Sequence, residues 1–458
     1  MTKRLLAVTL GLLLGGCSLA PDYQRPATPA GASWQASTDV TTTRGWKGTF
    51  SDPQLQQLIT LALSNNRDLR IAALNVQSYE ARYRIQRAAQ LPTVGVDGSG
   101  TRQQTAGDIN GSGREQIGSQ YAANVGITAY ELDFFGRIQS LKDQALENYL
   151  AQQESQRSTH IALVASVANA YLTLLADQDL LTLSQQTLQT EQESYELTSK
   201  KFNLGAASDM ELAQGKTTLE SARVSQAQYQ RQVAQDKNAL MLLIGGNLPA
   251  DLQQTRALDD VALTPVPVGA PSSLLQQRPD VLAAEHSLKA ANANIGAARA
   301  AFFPTITLTA TAGSASNELS SLFDSGNGTW LFMPKLSLPI FDGGKRTADL
   351  DVAEIEAKKA VASYEQSIQS AFREVADGLV AQQSYQQQLA AQQALVEANQ
   401  RYFDLAEKRY QQGVDSYLTR LDAQRSLFSA QQSLIATRLA LLGNEVSLYK
   451  AIGGGWQE

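Results

Sequence analysis

Residues 299–313 read RAAFFPTITLTATAG, and the pattern changes at Pro304. Before it, alanines and arginines recur at helical spacing. After it, Thr305, Thr307, Thr309 and Thr311 alternate with Ile306, Leu308, Ala310 and Ala312. Such alternation predicts a strand with one polar and one apolar face. A proline at the first position gives up an N–H that the ladder does not need there. The apolar face must be covered, either by another protein layer or by lipid.

The same stretch occurs twice. DLRIAALNVQSYEARYRIQRAAQLPTVGVDG from Asp68 aligns with DVLAAEHSLKAANANIGAARAAFFPTITLTA from Asp280, with identities at Asp68, Ala72, Ala81, Arg87, Ala88, Ala89, Pro92 and Thr93. Further on, Gly205 and Ser208 match Gly413 and Ser416 at an offset of 208, and the IGG at 244 matches the IGG at 452. A duplicated unit predicts the same order of elements in each half. The first repeat is set at 51–246, with a helix, a β-hairpin over 91–132, a long helix over 136–203 and a return helix over 209–244. The second is set at 278–458, with a helix, a β-hairpin over 304–341, a long helix over 344–411 and a return helix over 416–451.

In the first hairpin Tyr121, Ala123, Val125, Ile127 and Ala129 are expected on one face, and Gln120, Asn124 and Thr128 on the other. In the second, Trp330, Phe332, Leu336, Leu338 and Ile340 are expected to share a face. The long helices hold no proline. Val361, Ile368, Val375, Leu389, Val396, Phe403 and Tyr410 keep a heptad spacing interrupted by Gln382, and the first repeat answers with Val167, Leu174, Leu181, Leu188, Tyr195 and Phe202. A sustained heptad predicts helices packed along their length as a coiled coil, each roughly 100 Å long. Gln, Ser, Ala and Glu fill the positions between. Residues 247–277, with Pro265, Pro267 and Pro271, read as an extended connector.

Lys3 and Arg4, the apolar run from Leu5 to Leu14 and Cys17 make residues 1–16 an export signal, too short for a permanent span. Residues 17–50 are read as an anchored N-terminal segment. Cys17 is the only cysteine, which excludes an internal disulfide. Acidic residues outnumber basic ones, 44 to 38, which argues against a nucleic-acid binder.

Four strands per chain cannot close a membrane barrel, whose smallest examples have about 8, so two or three chains must contribute. The threonine side of 305–311 and the Gln/Asn/Thr side of 120–128 would then line a lumen. Phe134, Phe135, Phe302, Phe303 and Phe341, with Trp330 and Phe332, would form two interfacial belts. A soluble sheet packed on helices is the alternative. The helices are too polar to cover it, and the expectation is lipid.

CSLAPDYQRPA, NNRDLRIAALNV, ELDFFGRI, the 278–309 stretch, YLTRLDAQRSLF and YKAIGGGWQ together resemble the TolC/OprM family of outer-membrane efflux channels, in its lipoprotein, NodT-type branch. The resemblance implies a mixed α and β membrane protein. It would be a homotrimer with a 12-stranded β-barrel, four strands per chain, continued by a long α-helical coiled-coil barrel into the periplasm. It also implies a periplasmic adaptor (membrane fusion) protein and an inner-membrane pump, usually proton-driven, with lipidation at Cys17 and an outer-membrane location. The function implied is the exit duct of a tripartite efflux system for drugs or other small toxic compounds. Alternatives are a duct for type I protein secretion or heavy-metal export, and a non-conducting coiled-coil envelope tether.

No nucleophile–base pair, metal cluster or cofactor motif is legible. His160 and His286 are far apart and read as packing or surface residues. The helix tips hold the candidate functional residues. Gly205, Ser208, Gly413 and Ser416 mark turns for adaptor contact. Asp209 and Glu211 are either an acidic entrance ring or helix-start acids that complement the dipole. The family resemblance places Tyr410 and Asp422 at the periplasmic gate, with Asp415 beside them. Tyr410 is expected to hydrogen-bond to a neighbouring helix. Asp415 and Thr419 depart from the family's latch residues, leaving Lys408, Arg409 or Arg420 as substitutes.

Overall fold

A computed structural model of the chain describes residues 18–27, 45–109, 111, 113–250, 256–264 and 278–454. The export signal, Cys17 and the connector prolines lie outside these residues. The helices are α1 (Trp46–Thr49), α2 (Pro53–Asn65), α3 (Arg67–Ala88), α4 (Arg137–Asn203), α5 (Asp209–Ile244), α6 (Pro279–Ala300), α7 (Lys345–Gln411) and α8 (Tyr417–Ala451). The strands are β1 (Val94–Thr105), β2 (Gln116–Leu132), β3 (Thr305–Ser316) and β4 (Gly328–Ser337). Two compact units result, and neither coincides with a repeat. Of the described residues, one takes those within 18–27, 76–152 and 283–364, and the other those within 45–75, 153–282 and 365–454.

The first unit carries a single antiparallel sheet in the order β1-β2-β3-β4. Register decides its faces, because residues paired across strands point the same way. Val96 pairs with Val125, Val125 with Ala312, and Ala312 with Trp330. One row on, Val94, Ile127, Ala310 and Phe332 are joined in the same way. Between Ile127 and Tyr130 the register shifts, and Ala129 has φ 52°. This β-bulge adds one residue, so Tyr130 and Leu132 pair with Leu308 and Ile306 on the apolar face, and Glu131 pairs with Thr307 on the polar one. The expected place of Ala129 on the apolar face is therefore corrected: without the bulge, Glu131 would stand among apolar groups.

The polar face collects Asp97, Asn124, Thr305, Thr307, Thr309 and Thr311, although Leu331 and Met333 of β4 pair onto it. Strand β4 ends at Ser337, short of the expected extent to Phe341, because Ser337 pairs with Thr305, the first residue of β3, and the partner strand offers nothing beyond. The apolar face is bare in the isolated chain: Val96 is 82% exposed and Trp330 80%.

At the strand–helix junction the Tyr130 hydroxyl donates to the Gln90 carbonyl at 2.9 Å, and the rings of Phe135 and Phe303 lie 4.7 Å apart. Residues 18–27 are pinned across α6. Asn292 Nδ2 donates to the Pro21 carbonyl at 2.7 Å, and Arg25 pairs with the buried Glu285 at 2.5 Å. Gly296 permits this approach, since a Cβ there would meet Ser140 Oγ at 2.6 Å and Ala20 N at 2.7 Å. His286 pairs with Glu147 at 2.6 Å.

The second unit holds the main hydrophobic core. The most apolar part of α4, residues 161–176, packs with Phe50, Leu55, Leu58 and Ile59 from the N-terminal helices, Leu240 and Ile244 of α5, and Val446 and Tyr449 of α8. Phe50 meets Tyr449 edge to face at 5.1 Å. Asp52 starts α2 by accepting from the N–H groups of Gln54 (2.8 Å) and Leu55 (3.0 Å), and it also pairs with Arg256 at 2.6 Å. Along α7 the heptad residues Ile368 and Val375 are buried, and so is Gln382, which interrupted the apolar pattern. The second seam position is filled by small residues such as Ala371 and Ala406, which let a neighbouring helix come close.

Candidate functional site at the helix tips

Both long helices end in one and the same turn. Gly205 (φ 74°) and Gly413 (φ 73°) are left-handed, a conformation that strains any residue with a Cβ. The N–H groups of Gly205 and Ala206 donate to the carbonyls of Phe202 (2.9 Å) and Lys201 (2.8 Å). Gly413 and Val414 repeat this with Tyr410 (3.0 Å) and Arg409 (2.9 Å). These bonds satisfy carbonyls that a helix end leaves open.

The return helices begin with serine caps. Ser208 Oγ accepts from the Glu211 N–H at 3.2 Å while the Glu211 carboxylate accepts from the Ser208 N–H at 2.7 Å, a full capping box. Ser416 Oγ accepts from the Thr419 N–H at 3.3 Å. Thr419 stands where the first repeat has Glu211, so the second tip lacks the reciprocal carboxylate. Asp209 is exposed on the first turn of α5 and Asp422 on the second turn of α8.

The charges at the second tip are paired in different ways. Asp415 accepts from Arg409 at 2.7 and 3.0 Å, and that guanidinium holds its carboxyl below the usual range. Arg420 is buried and pairs with Glu407, joining α8 to α7. Its guanidinium lies 5.8 Å from the Tyr417 ring and 6.0 Å from the Phe403 ring. Tyr410 engages its neighbours through its ring: Lys201 Nζ is 4.7 Å from its centroid and the Tyr417 ring 5.5 Å. The hydrogen bond expected from its hydroxyl is not seen among the described residues. The arrangement ties the two tips together, Lys201 of the first reaching Tyr410 of the second.

Sequence reasoning gave no weight to a buried polar seam on α4. Asp177, Ser184, Glu191 and Thr198 recur every seven residues, and Ser184, Glu191 and Thr198 are at most 2% exposed. The heptad spacing was the available signal. Among the described residues no cluster of His, Cys, Asp and Glu is arranged to hold a metal ion.

A sheet apolar on one face and polar on the other, joined to paired 67-residue helices with matching tip turns, defines an outer-membrane channel protein. The profile described as "Outer membrane efflux protein" matches residues 58–246 and 270–454. The chain is 54% identical to the toluene efflux pump outer membrane protein TtgC of Pseudomonas putida, over all of this chain and 97% of that protein. It is also 54% identical, over the same shares, to the antibiotic efflux pump outer membrane protein ArpC of Pseudomonas putida. The open-state structure of the MtrE outer membrane channel of Neisseria gonorrhoeae superposes with a TM-score of 0.85 at 37% identity, covering 96% of this chain and 98% of that one. The chain belongs to the outer membrane efflux protein family: it is an outer-membrane exit duct for efflux.

Proposed function

We propose that three copies close a twelve-stranded barrel whose apolar face meets lipid and whose threonine face lines the lumen, with the long helices closing a helical barrel. The observation that carries this reading is the sheet itself. Strands β1 and β4 have neighbours on one side only, and the apolar face has no protein cover. Open edges and exposed backbone groups are not tolerated in hydrocarbon, so the edges must pair with other copies.

The cargo is inferred from the relatives named for toluene and for antibiotics, and is small, apolar or amphiphilic compounds. An inner-membrane pump, proton-driven, and a periplasmic adaptor supply it, the adaptor meeting the turns at Gly205–Ser208 and Gly413–Ser416. The duct itself supplies passage and no energy, and needs no cofactor. Cys17 carries the lipid anchor, which the intact mass of the mature N-terminus tests. The entrance is held shut around Tyr410, and its acidic ring is assigned to Asp422, because Asp415 is neutralised by Arg409 and Glu211 is engaged in its cap.

Light scattering in mild detergent should give three chains per particle, and planar bilayers should show conductance from that species. A monomer that conducts refutes the shared barrel. A trimer without conductance would favour the envelope tether.

A further inference from the structure

We propose that a cavity where α4, α5 and α8 meet binds a small alkylammonium ion, its charged head on Glu191 and its hydrocarbon arm against Leu421 and Phe428. The cavity has a volume of about 120 Å³. That is several times what one water needs, and close to the size at which an apolar cavity takes up a small organic molecule.

Apart from Arg425 at the rim and the Gln424 amide, the polar wall offers acceptors. Glu191 is 1% exposed, and neither carboxylate oxygen has a hydrogen-bond partner. Gln424, 8% exposed, leaves its Oε1 unpartnered as well. The hydroxyls of Ser184, Thr187, Thr218, Ser221 and Ser225 also line the space. Each donates its proton to a carbonyl of its own helix, at 2.7 to 3.1 Å, and so presents lone pairs to the cavity. A site of this kind matches a group with several N–H donors and no acceptor, which is an ammonium. The opposite wall is Ala222, Leu421 and Phe428, and suits a short hydrocarbon arm.

None of the charges around Glu191 bonds to its carboxylate. From α8 it faces Arg420, Arg425 and the buried Tyr417, and from α7 Glu407. Arg420 is paired with Glu407 through Nε and leaves Nη1 unpartnered, Arg425 is exposed at the rim, and neither guanidinium hydrogen-bonds the Glu191 carboxylate. The Gln424 amide lies close enough to favour the charged carboxylate, without hydrogen-bond geometry. Burial pushes the Glu191 carboxyl upward, so a proton competes with the amine and binding should weaken as the pH falls. The second repeat has Asn399 at the equivalent heptad position. The carboxylate of this site therefore has no counterpart in the second repeat.

The test is calorimetric titration of the purified full chain in detergent with n-butylammonium chloride at constant ionic strength and pH 7.5. Saturable binding is expected, weakened roughly tenfold or more by Glu191→Gln. The neutral butan-1-ol should not bind, and potassium chloride should not compete. Binding that is unchanged in Glu191→Gln, equal for butan-1-ol, displaced by potassium, or absent overturns the proposal. Should Glu191→Gln fail to fold, Ser225→Leu fills the rim and keeps the carboxylate, and binding that survives it overturns the proposal equally.

Discussion

Replacing Arg420 by methionine removes a buried cation that joins α7 to α8 behind the second tip, while keeping most of the side-chain volume. The Arg420 side chain is 4% exposed and that of Glu407 27%. Removing one partner of a buried ion pair costs about 3–5 kcal/mol. Glu407 is at the edge and regains some water, so about 2–3 kcal/mol per chain is the better figure. Loss of the contacts with Phe403 and Tyr417 adds to this. Local opening of the tip should then rise roughly 30- to 160-fold, at about 1.4 kcal/mol per tenfold. Amide hydrogen exchange in the 403–425 peptides reads this directly, with the 161–176 core as internal reference. Arg409→Met is the control, because its pair with Asp415 is exposed and local to the turn, and little change is expected. Exchange in 403–425 that stays within about threefold of the parent in Arg420→Met would show that this pair does not hold the tip.

Further expectations concern pH, the sheet and selectivity. Burial, reinforced by a hydrogen bond and the charge of Asp177, pushes the Asp236 carboxyl up to about 7, and burial alone does the same for Glu445. A carboxyl raised in the folded state binds more protons there than when unfolded, so stability is full below the ordinary carboxylate range and is lost as pH rises towards 7. The melting temperature should fall across that window, and the double variant Asp236→Asn, Glu445→Gln should flatten the slope; an unchanged slope contradicts the assignment. Deleting Ala129 removes the extra residue and leaves Glu131 opposite Thr307 on the polar face, so oligomers stable on unheated gels should persist, whereas Ala129→Val, a β-branched residue forced to φ 52°, should weaken them; loss on deletion and not on Ala129→Val contradicts this. Asp422→Ala should lower cation preference in planar bilayers, most at low salt where screening is weakest. An unchanged preference would move the acidic ring to Asp209.

The candidate site was half legible. The tip turns were visible in Gly205 and Gly413 because a left-handed residue after a long helix has few chemical solutions. Their matching offset exposed the duplication. What each carboxylate does there was not visible, because pairing depends on where neighbouring side chains lie. Glu211 closes a cap, Asp415 meets Arg409, and Asp422 stands in solvent, although all three are acids near a helix start. Glu191 was hidden for a related reason. Its burial comes from α5 and α8, neither of which is close to it in sequence.

By itself the sequence determined the element order, the two-faced strands and the coiled-coil helices, since periods of two and seven are local properties of a chain. The uncovered apolar strand face pointed to lipid, and the family resemblance added the trimer and its outer-membrane setting. Tertiary structure decided what depends on register and on neighbours. It placed the bulge that keeps Glu131 off the apolar face, and it ended β4 at Ser337. It also drew both compact units from both repeats. A duplicated sequence repeats its local instructions, but helices of 67 residues carry each copy past the contacts of the other, so packing mixes what the sequence kept apart.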